Sequence, residues 1–265
     1  MILRIFDNEP IEHMRIPFFI WLLLTVMVIA TTGCLVSEDN AVPDPARLRV
    51  LNLVPERTFT FSGNEDVLAS NIPYDSITPY GYAYPGFYDI RITGSENNTL
   101  SARQVIQSRA RYSFFIFPDS SSRANNITGF KLSVITDDNL YALRDSFYIR
   151  FMHYSPNAPS VYVEPWKQRG LSANEDLKPL SIFRQRSFND ISVYSNYATY
   201  QKLEIGNYRF RFRNLTTIDS AELIVADRRS FRENTYYTMY LEGFADGTNN
   251  YALKIKIDSV GNTNN

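Results

Sequence analysis

The sequence predicts an all-β chain made of two tandem immunoglobulin-like or prealbumin-like β-sandwich domains that follow an N-terminal signal peptide. Three observations carry this reading. Apolar residues beyond residue 45 recur with a period of two. No stretch longer than about ten residues shows a convincing period of 3.6. The motifs of the first half return in the same order in the second.

The composition fits a folded module. Of 265 residues, 44% are hydrophobic and 14% aromatic, more than a disordered chain carries. Lys and Arg number 27 against 28 Asp and Glu. The first 33 residues hold Arg4 and Arg15 against Asp7, Glu9 and Glu12, so taking away two basic and three acidic residues leaves 25 of each from Cys34 onward. A neutral balance supplies no long-range field to steer polyanions, which argues against nucleic acid as a partner. Cys34 is the single cysteine, so there is no intrachain disulfide.

Residues 16–30 read Ile-Pro-Phe-Phe-Ile-Trp-Leu-Leu-Leu-Thr-Val-Met-Val-Ile-Ala and lead into Thr31-Thr32-Gly33-Cys34. This run is short for a membrane-spanning helix, which needs about 20 apolar residues, and fits the roughly 7–15-residue core of a secretory signal. Residues 1–13 carry more acid than base, whereas Met14-Arg15-Ile16-Pro17 is a short positive opening, so Met14 is the expected true start. Gly33-Cys34 resembles a bacterial lipobox, with Thr31 where leucine is usual. The resemblance implies a lipoprotein signal peptide over residues 1–33, lipidation at Cys34, and a tether over 34–45 stiffened by Pro43 and Pro45. Acyl chains contributing about 0.8 kcal/mol per buried CH₂ would hold the chain on a membrane. Ser37-Glu38-Asp39 reads either as the acidic surface signal of Bacteroidetes-type lipoproteins or as an ordinary polar tether. The expected location is the cell envelope, as an outer-membrane lipoprotein.

Behind the tether, residues 88–92 (Tyr-Asp-Ile-Arg-Ile), 208–213 (Tyr-Arg-Phe-Arg-Phe-Arg) and 254–258 (Lys-Ile-Lys-Ile-Asp) alternate strictly. Successive strand side chains point to opposite faces, so each segment is a half-buried strand with one apolar and one charged face. Residues 48–54, 112–117, 130–135, 148–153, 160–163 and 236–241 are rich in β-branched and aromatic side chains and add further short strands.

The halves correspond. Arg49-Val50-Leu51-Asn52-Leu53-Val54-Pro55 matches Arg150-Phe151-Met152-His153-Tyr154-Ser155-Pro156, Pro85-Gly86-Phe87-Tyr88 matches Ile205-Gly206-Asn207-Tyr208, and Arg111-Tyr112-Ser113-Phe114 matches Thr235-Tyr236-Tyr237-Thr238. Insertions accumulate in loops, so a common fold with a growing offset is expected of a tandem duplication. The domains are then residues 46–140 and 146–260, with a polar connector over 137–146. Gly86 and Gly206 are expected to adopt positive φ, with Tyr88 and Tyr208 packing back across the corner.

Residues 149–163, Ile-Arg-Phe-Met-His-Tyr-Ser-Pro-Asn-Ala-Pro-Ser-Val-Tyr-Val, resemble the opening strand, turn and second strand of the bacterial domain of unknown function 4397. Residues 188–194 and 203–212 are similar to its later signature stretches, and the likeness extends more faintly over 46–136. It implies an exported β-sandwich module, often in tandem and often in lipoproteins, and brings no activity with it.

A hydrolase needs a nucleophile, a base and an orienting group. His153 is the single histidine after the signal, and Asn52, which cannot titrate, holds the matching place in the first half. The expected role of His153 is therefore to hydrogen-bond the adjacent turn, and no catalytic residue is assigned. Asp246-Gly247-Thr248-Asn249-Asn250 and Asp137-Asp138-Asn139 offer oxygens for calcium but suit turns better, so no metal and no cofactor are expected. The arginines of 208–213 lie opposite the rings of the same strand, which reads as a solvated face. The serious ligand candidates are aromatic: Trp166, placed after Pro165 in a long loop, with Tyr194, Tyr197 and Tyr200. Rings exposed together could stack on sugars, while the plainer reading is packing. The functions that follow are, first, a non-catalytic binding or scaffold module of unknown ligand, next a surface glycan-binding protein assisting polysaccharide uptake, and as a distant third a hydrolase; an envelope protein or a glycan is the expected partner.

Overall fold

In the computed structural model, residues 42–96, 98–137, 144–168, 183, 185–214 and 222–260 are described. The expected signal peptide, Cys34 and the tether up to residue 41 lie outside them, as do Asp138 and Asn139. Pro43–Asn265 is one compact unit.

The first half holds β1 (Ala46–Asn52), β2 (Phe59–Gly63), β3 (Asp66–Ile72), β4 (Ser76–Ile77), β5 (Gly81–Ala83), β6 (Gly86–Gly94), β7 (Thr99–Ile106), β8 (Arg111–Pro118) and β9 (Phe130–Thr136). The second holds β10 (Ser146–His153), β11 (Val161–Lys167), β12 (Gln201–Glu204), β13 (Gly206–Asn214), β14 (Glu222–Val225), β15 (Arg229–Phe231), β16 (Tyr236–Glu242) and β17 (Lys254–Ser259). Regular helix is confined, among the described residues, to single 3-10 turns such as Asp190–Ser192 and Ser195–Ala198. The chain is all-β, as its period of two requires.

Each half is two sheets face to face. In the first, β4 and β5 pair with β1, β1 runs parallel to β8, and β9 closes the edge, while the opposing sheet runs β3-β2-β6-β7. The second repeats this order: β12-β10-β16-β17, with β10 parallel to β16, faces β11-β13-β14, with β15 beside β13. The strand β3 has no described counterpart, and the second half instead sends residues 185–200 across its end.

The alternation seen in the sequence places the side chains as expected. On β13, Tyr208, Phe210 and Phe212 are buried while Arg209, Arg211 and Arg213 are half-buried. Gly86 and Gly206 both have positive φ, 154° and 157°, and the Tyr208 hydroxyl donates to the Glu204 carbonyl oxygen at 2.9 Å, closing a tyrosine corner.

Two sandwich cores form, one around Val50, Phe61, Ile92 and Phe114 and one around Ile149, Phe151, Phe210 and Met239. A third apolar cluster joins the halves: Leu51, Leu53, Phe115 and Phe117 meet Met152, Tyr154 and Tyr240. Even-numbered residues of β1 and β8 enter the first core and odd-numbered ones enter this seam, so these strands are covered on both faces. The seam adds one feature: Asp137 and Ser146, the end residues of the expected polar connector, are both buried.

Candidate functional site along the seam

The seam is ordered by charges exchanged between the halves. Arg150 of β10 reaches into the first half, where it pairs with Asp137 and donates from Nη1 to the Thr136 carbonyl oxygen at 2.9 Å, while its Nε donates to Thr238 Oγ1 at 2.9 Å. Arg49 of β1 reaches the other way, donating from Nη1 to Asp258 Oδ2 at 2.5 Å and from Nε to Ser113 Oγ at 2.7 Å. Asp137 also accepts from the Ser113 and Tyr80 hydroxyls, the latter at 2.8 Å. A ring lies on each guanidinium, Tyr80 centred 4.9 Å from Arg49 and Tyr200 4.4 Å from Arg150. Arg49 and Arg150 stand at matching places, so the two halves use one device in opposite directions. Sequence reasoning missed it. The available signal was an arginine inside each otherwise apolar opening strand, since a buried charge requires a partner.

Beside the seam, the segment from residue 185 to 200 is pinned from within. Buried Arg186 forks onto Asp190 with bonds of 2.9 and 3.0 Å, and its Nη1 donates to the Tyr197 carbonyl oxygen at 3.1 Å. The Asn189 amide donates to the His153 carbonyl oxygen at 2.8 Å, fixing the segment to the end of β10. On this support Tyr194, 54% exposed, and Tyr197 form a ring pair with centroids 5.0 Å apart and planes at 40°. Arg186 sits 4.7 Å from the Tyr197 ring centre.

A hollow of about 630 Å³ opens beside this pair, bounded by Lys131 of the first half and by Gln185, Asn189, Tyr194 and Tyr197 of the second. A second hollow, of about 530 Å³, adjoins it at Asn189 and Ser192 and runs between β9 and Ile191, Ala198 and Tyr200. The result is a trough with aromatic rings, amides and hydroxyls on its walls, a lining suited to holding a ligand by contact and hydrogen bonds.

The four candidate aromatic residues are not brought together. Tyr194 and Tyr197 share the first hollow. Tyr200 packs edge-on against Tyr236 with centroids 5.0 Å apart, and burial pushes its phenol up to about 12. Trp166 stands in β11 opposite Arg209, its ring centre 4.3 Å from the Arg211 guanidinium and its Nε1 donating to Glu164 Oε2 at 3.3 Å. Among the described residues no ring contact joins it to the tyrosines. Two expectations are corrected here. Trp166 belongs to a strand and not to a loop, because β11 is an edge strand in which Pro165 is tolerated. The β13 arginines also share their face with rings, those of Trp166 and Tyr162 on the neighbouring strand.

His153 braces a turn. Its Nε2–H donates to the Pro159 carbonyl oxygen at 3.1 Å, and burial lowers its pKa to about 4, so the ring is neutral. At the matching place Asn52 donates to the Arg57 and Ile72 carbonyl oxygens at 2.7 and 3.0 Å and accepts from the Val54 amide at 2.9 Å. Asp246, itself a turn residue, accepts from the side-chain amide of Asn157 in another turn at 2.5 Å. Among the described residues no three His, Cys, Asp or Glu side chains are grouped to hold a metal.

No curated protein matches the chain. Among solved structures, the family 26 carbohydrate-binding module of Eubacterium rectale Amy13K in complex with maltoheptaose aligns over 83% of this chain and 98% of its own, at 10% identity and a TM-score of 0.22. A likeness that slight says nothing about a ligand. The sequence match is more telling, since it starts with β1, covers the first sandwich and continues through the first turn of the second into β11. Residues 46–164 match the model of the family described as Domain of unknown function (DUF4397).

Proposed function

We propose that the chain is a non-catalytic, lipid-anchored module of the cell envelope that binds or scaffolds a partner along the seam trough, its second half being a further copy of the same domain. The observation that carries the binding role is the trough itself: two sandwiches locked by buried ion pairs leave exposed Tyr194, paired with half-buried Tyr197, and two adjoining hollows on a rigid frame. Pre-organised walls reduce the ordering cost of binding. The anchor is supported by the sequence up to Gly33-Cys34. Replacing Cys34 with Ala tests it: the variant moves from the membrane to the soluble fraction and loses incorporation of labelled palmitate. A variant that still sediments with membranes, beside a wild type that takes up no palmitate, refutes the anchor.

A second reading, surface glycan binding in aid of polysaccharide uptake, is favoured by exposed Tyr194 and half-buried Tyr197 with Gln185 and Asn189 beside them. Tyrosine rings stack on sugar faces while amides bond the hydroxyls.

A further inference from the structure

We infer that the outer edge of β9 takes up an extended, uncharged peptide segment as an added strand. The inference deepens the scaffold reading above by naming the partner's chemistry. It starts from the hydrogen-bond phase of one ladder. The Asp137 amide donates to the Arg111 carbonyl oxygen and the Asp119 amide to that of Gly129, which fixes the odd-numbered residues of β9 as those bonded to β8. In an antiparallel pair the residues alternate, so Phe130, Leu132, Val134 and Thr136 turn their amide and carbonyl groups away from β8. Among the described residues no strand lies beyond β9. Thr136 is already used, its carbonyl accepting from Arg150. Of the other three, Leu132 and Val134 line the 530 Å³ hollow and offer it two donors and two acceptors in a row.

The equivalent edge in the second half has a capped carbonyl at its centre. On β17 the odd-numbered residues face outward, and Arg229 Nη1 donates to the Ile257 carbonyl oxygen at 2.9 Å. Ile257 holds the place of Val134, so one half caps this carbonyl from within and the other leaves it open to a partner. Open edges recruit strands unless charge or a covering element prevents it.

Two features select the occupant. The open edge is continuous with the established seam, since the next outward carbonyl along β9 is the one that Arg150 holds. The side chains around the hollow, among them Ser133, Thr136, Ile191, Ala198 and Thr199, carry no charge, so the complementary segment is uncharged, with hydroxyl and β-branched apolar residues alternating. The 185–200 segment walls the edge, which suits a single strand better than the β9 of a second copy with a wall of its own.

The test uses the full chain and one probe, the capped peptide Lys-Thr-Val-Thr-Val-Thr-Val-Lys, with amide hydrogen exchange as the readout. The peptide at about 1 mM is expected to slow exchange at Leu132 and Val134 by about tenfold or more. The same peptide N-methylated on every Thr and Val, having lost the donors of both edges, is expected to give no protection. Val134→Pro, which removes an outward N–H and spares the ladder to β8, should abolish it too. If that variant does not fold, the N-methylated peptide on the wild type decides. Equal protection by the N-methylated peptide, protection at β3 or β7 in place of β9, no protection at all, or peptide-free protection that follows dimerisation would each overturn the inference. None of these outcomes alters the membrane fractionation of Cys34→Ala, so the two readings fail separately.

Discussion

Asp137 and Arg150, with 0% and 1% of their side chains exposed, form an ion pair that joins the last strand of one sandwich to the first strand of the next. Removing a carboxylate and a guanidinium from water costs several kcal/mol each, and their attraction offsets this only when the remaining lone pairs and protons are also satisfied. Here they are: Asp137 has Ser113 and Tyr80 as well, and Arg150 has Thr238 and the Thr136 carbonyl. Such a set admits one way of seating the two sheets against each other. Asp137→Ala strands a buried guanidinium and is expected to cost about 3–5 kcal/mol in urea unfolding. The double variant Asp137→Ala with Arg150→Met should recover much of the loss. A single-variant cost below about 1 kcal/mol would show that the pair does not matter to the seam.

Glu242 adds a pH dependence at the same seam. It is fully buried, with Lys254 Nζ 3.1 Å away, and Lys254 also reaches Asp75 of the first half at 3.0 Å. Burial outweighs the lysine and raises the Glu242 pKa to about 7. A carboxyl group raised in the folded state contributes stability fully below its unfolded value, near 4.5, and loses it as pH rises through about 7. Glu242→Gln is therefore expected to be the more stable protein at pH 8, by on the order of 1–3 kcal/mol, with a flatter melting temperature between pH 4.5 and 7. Parallel melting curves for the two proteins across that range would contradict it.

His153 acts in the opposite sense. Its pKa is lowered by burial to about 4, so folding holds the ring neutral. The stability this brings is present above the unfolded value of about 6.5 and is lost as pH falls toward 4. His153→Asn copies Asn52, keeps an amide donor for the Pro159 carbonyl, and should cost about 1 kcal/mol or less at pH 7 while removing the acid-side loss. His153→Ala, which leaves the turn unbraced, should be the less stable of the two. Melting temperatures at pH 5 and pH 7 separate these outcomes.

The alternation of residues 208–213 made β13 legible down to which side chains face inward, because a strand's period is fixed by its backbone. The repeat of Arg49 and Arg150 was legible as well, as was the turn role of His153. Which residue each arginine pairs with was not, because Asp137 and Asp258 come from the other half, and contacts between elements leave no local period. The burial of Asp137 was hidden for that reason: next to Asp138 and Asn139 it reads as a polar turn, and only the tertiary fold shows it buried. Trp166 was misplaced by its neighbour, since Pro165 suggests a loop unless the strand is known to lie at an edge. The apolar run of residues 112–117, broken only by Ser113, did signal a strand, and its lack of an exposed face reflects the seam covering the outer side.

Gly86 and Gly206 share φ values of 154° and 157°, which disfavour any residue with a Cβ. Ala at Gly86 would meet no atom within 4 Å, so its cost is the backbone alone, about 1 kcal/mol or more. At Gly206 the new Cβ would lie 2.8 Å from Lys167 Cε, the far part of a flexible side chain that can move aside. The two substitutions should thus lower stability by similar amounts despite different surroundings. A loss at Gly206 much larger than at Gly86 would mean that crowding, and not φ, is the constraint.

The last prediction separates glycan binding from protein scaffolding. If a sugar stacks in the trough, it does so on Tyr194 and Tyr197, the ring pair beside Gln185 and Asn189. Each Tyr→Ala change should then weaken binding about tenfold, or about 1.4 kcal/mol. The fold should be little affected at Tyr194, whose exposed ring supports little of the core. Trp166→Ala serves as the contrast. Its ring is half-buried beneath Arg211 and tied to Glu164, so its loss should lower the melting temperature and leave glycan retention unchanged. Affinity electrophoresis against a panel of soluble and insoluble glycans reads all three variants at once. Retardation of the wild type that disappears in Tyr194→Ala supports the glycan reading. Equal mobility of every variant with every glycan removes it and leaves the trough to a protein partner, because the same rings, backed by Arg186 and flanked by the open edge of β9, offer a rigid aromatic anchor of the kind protein interfaces use.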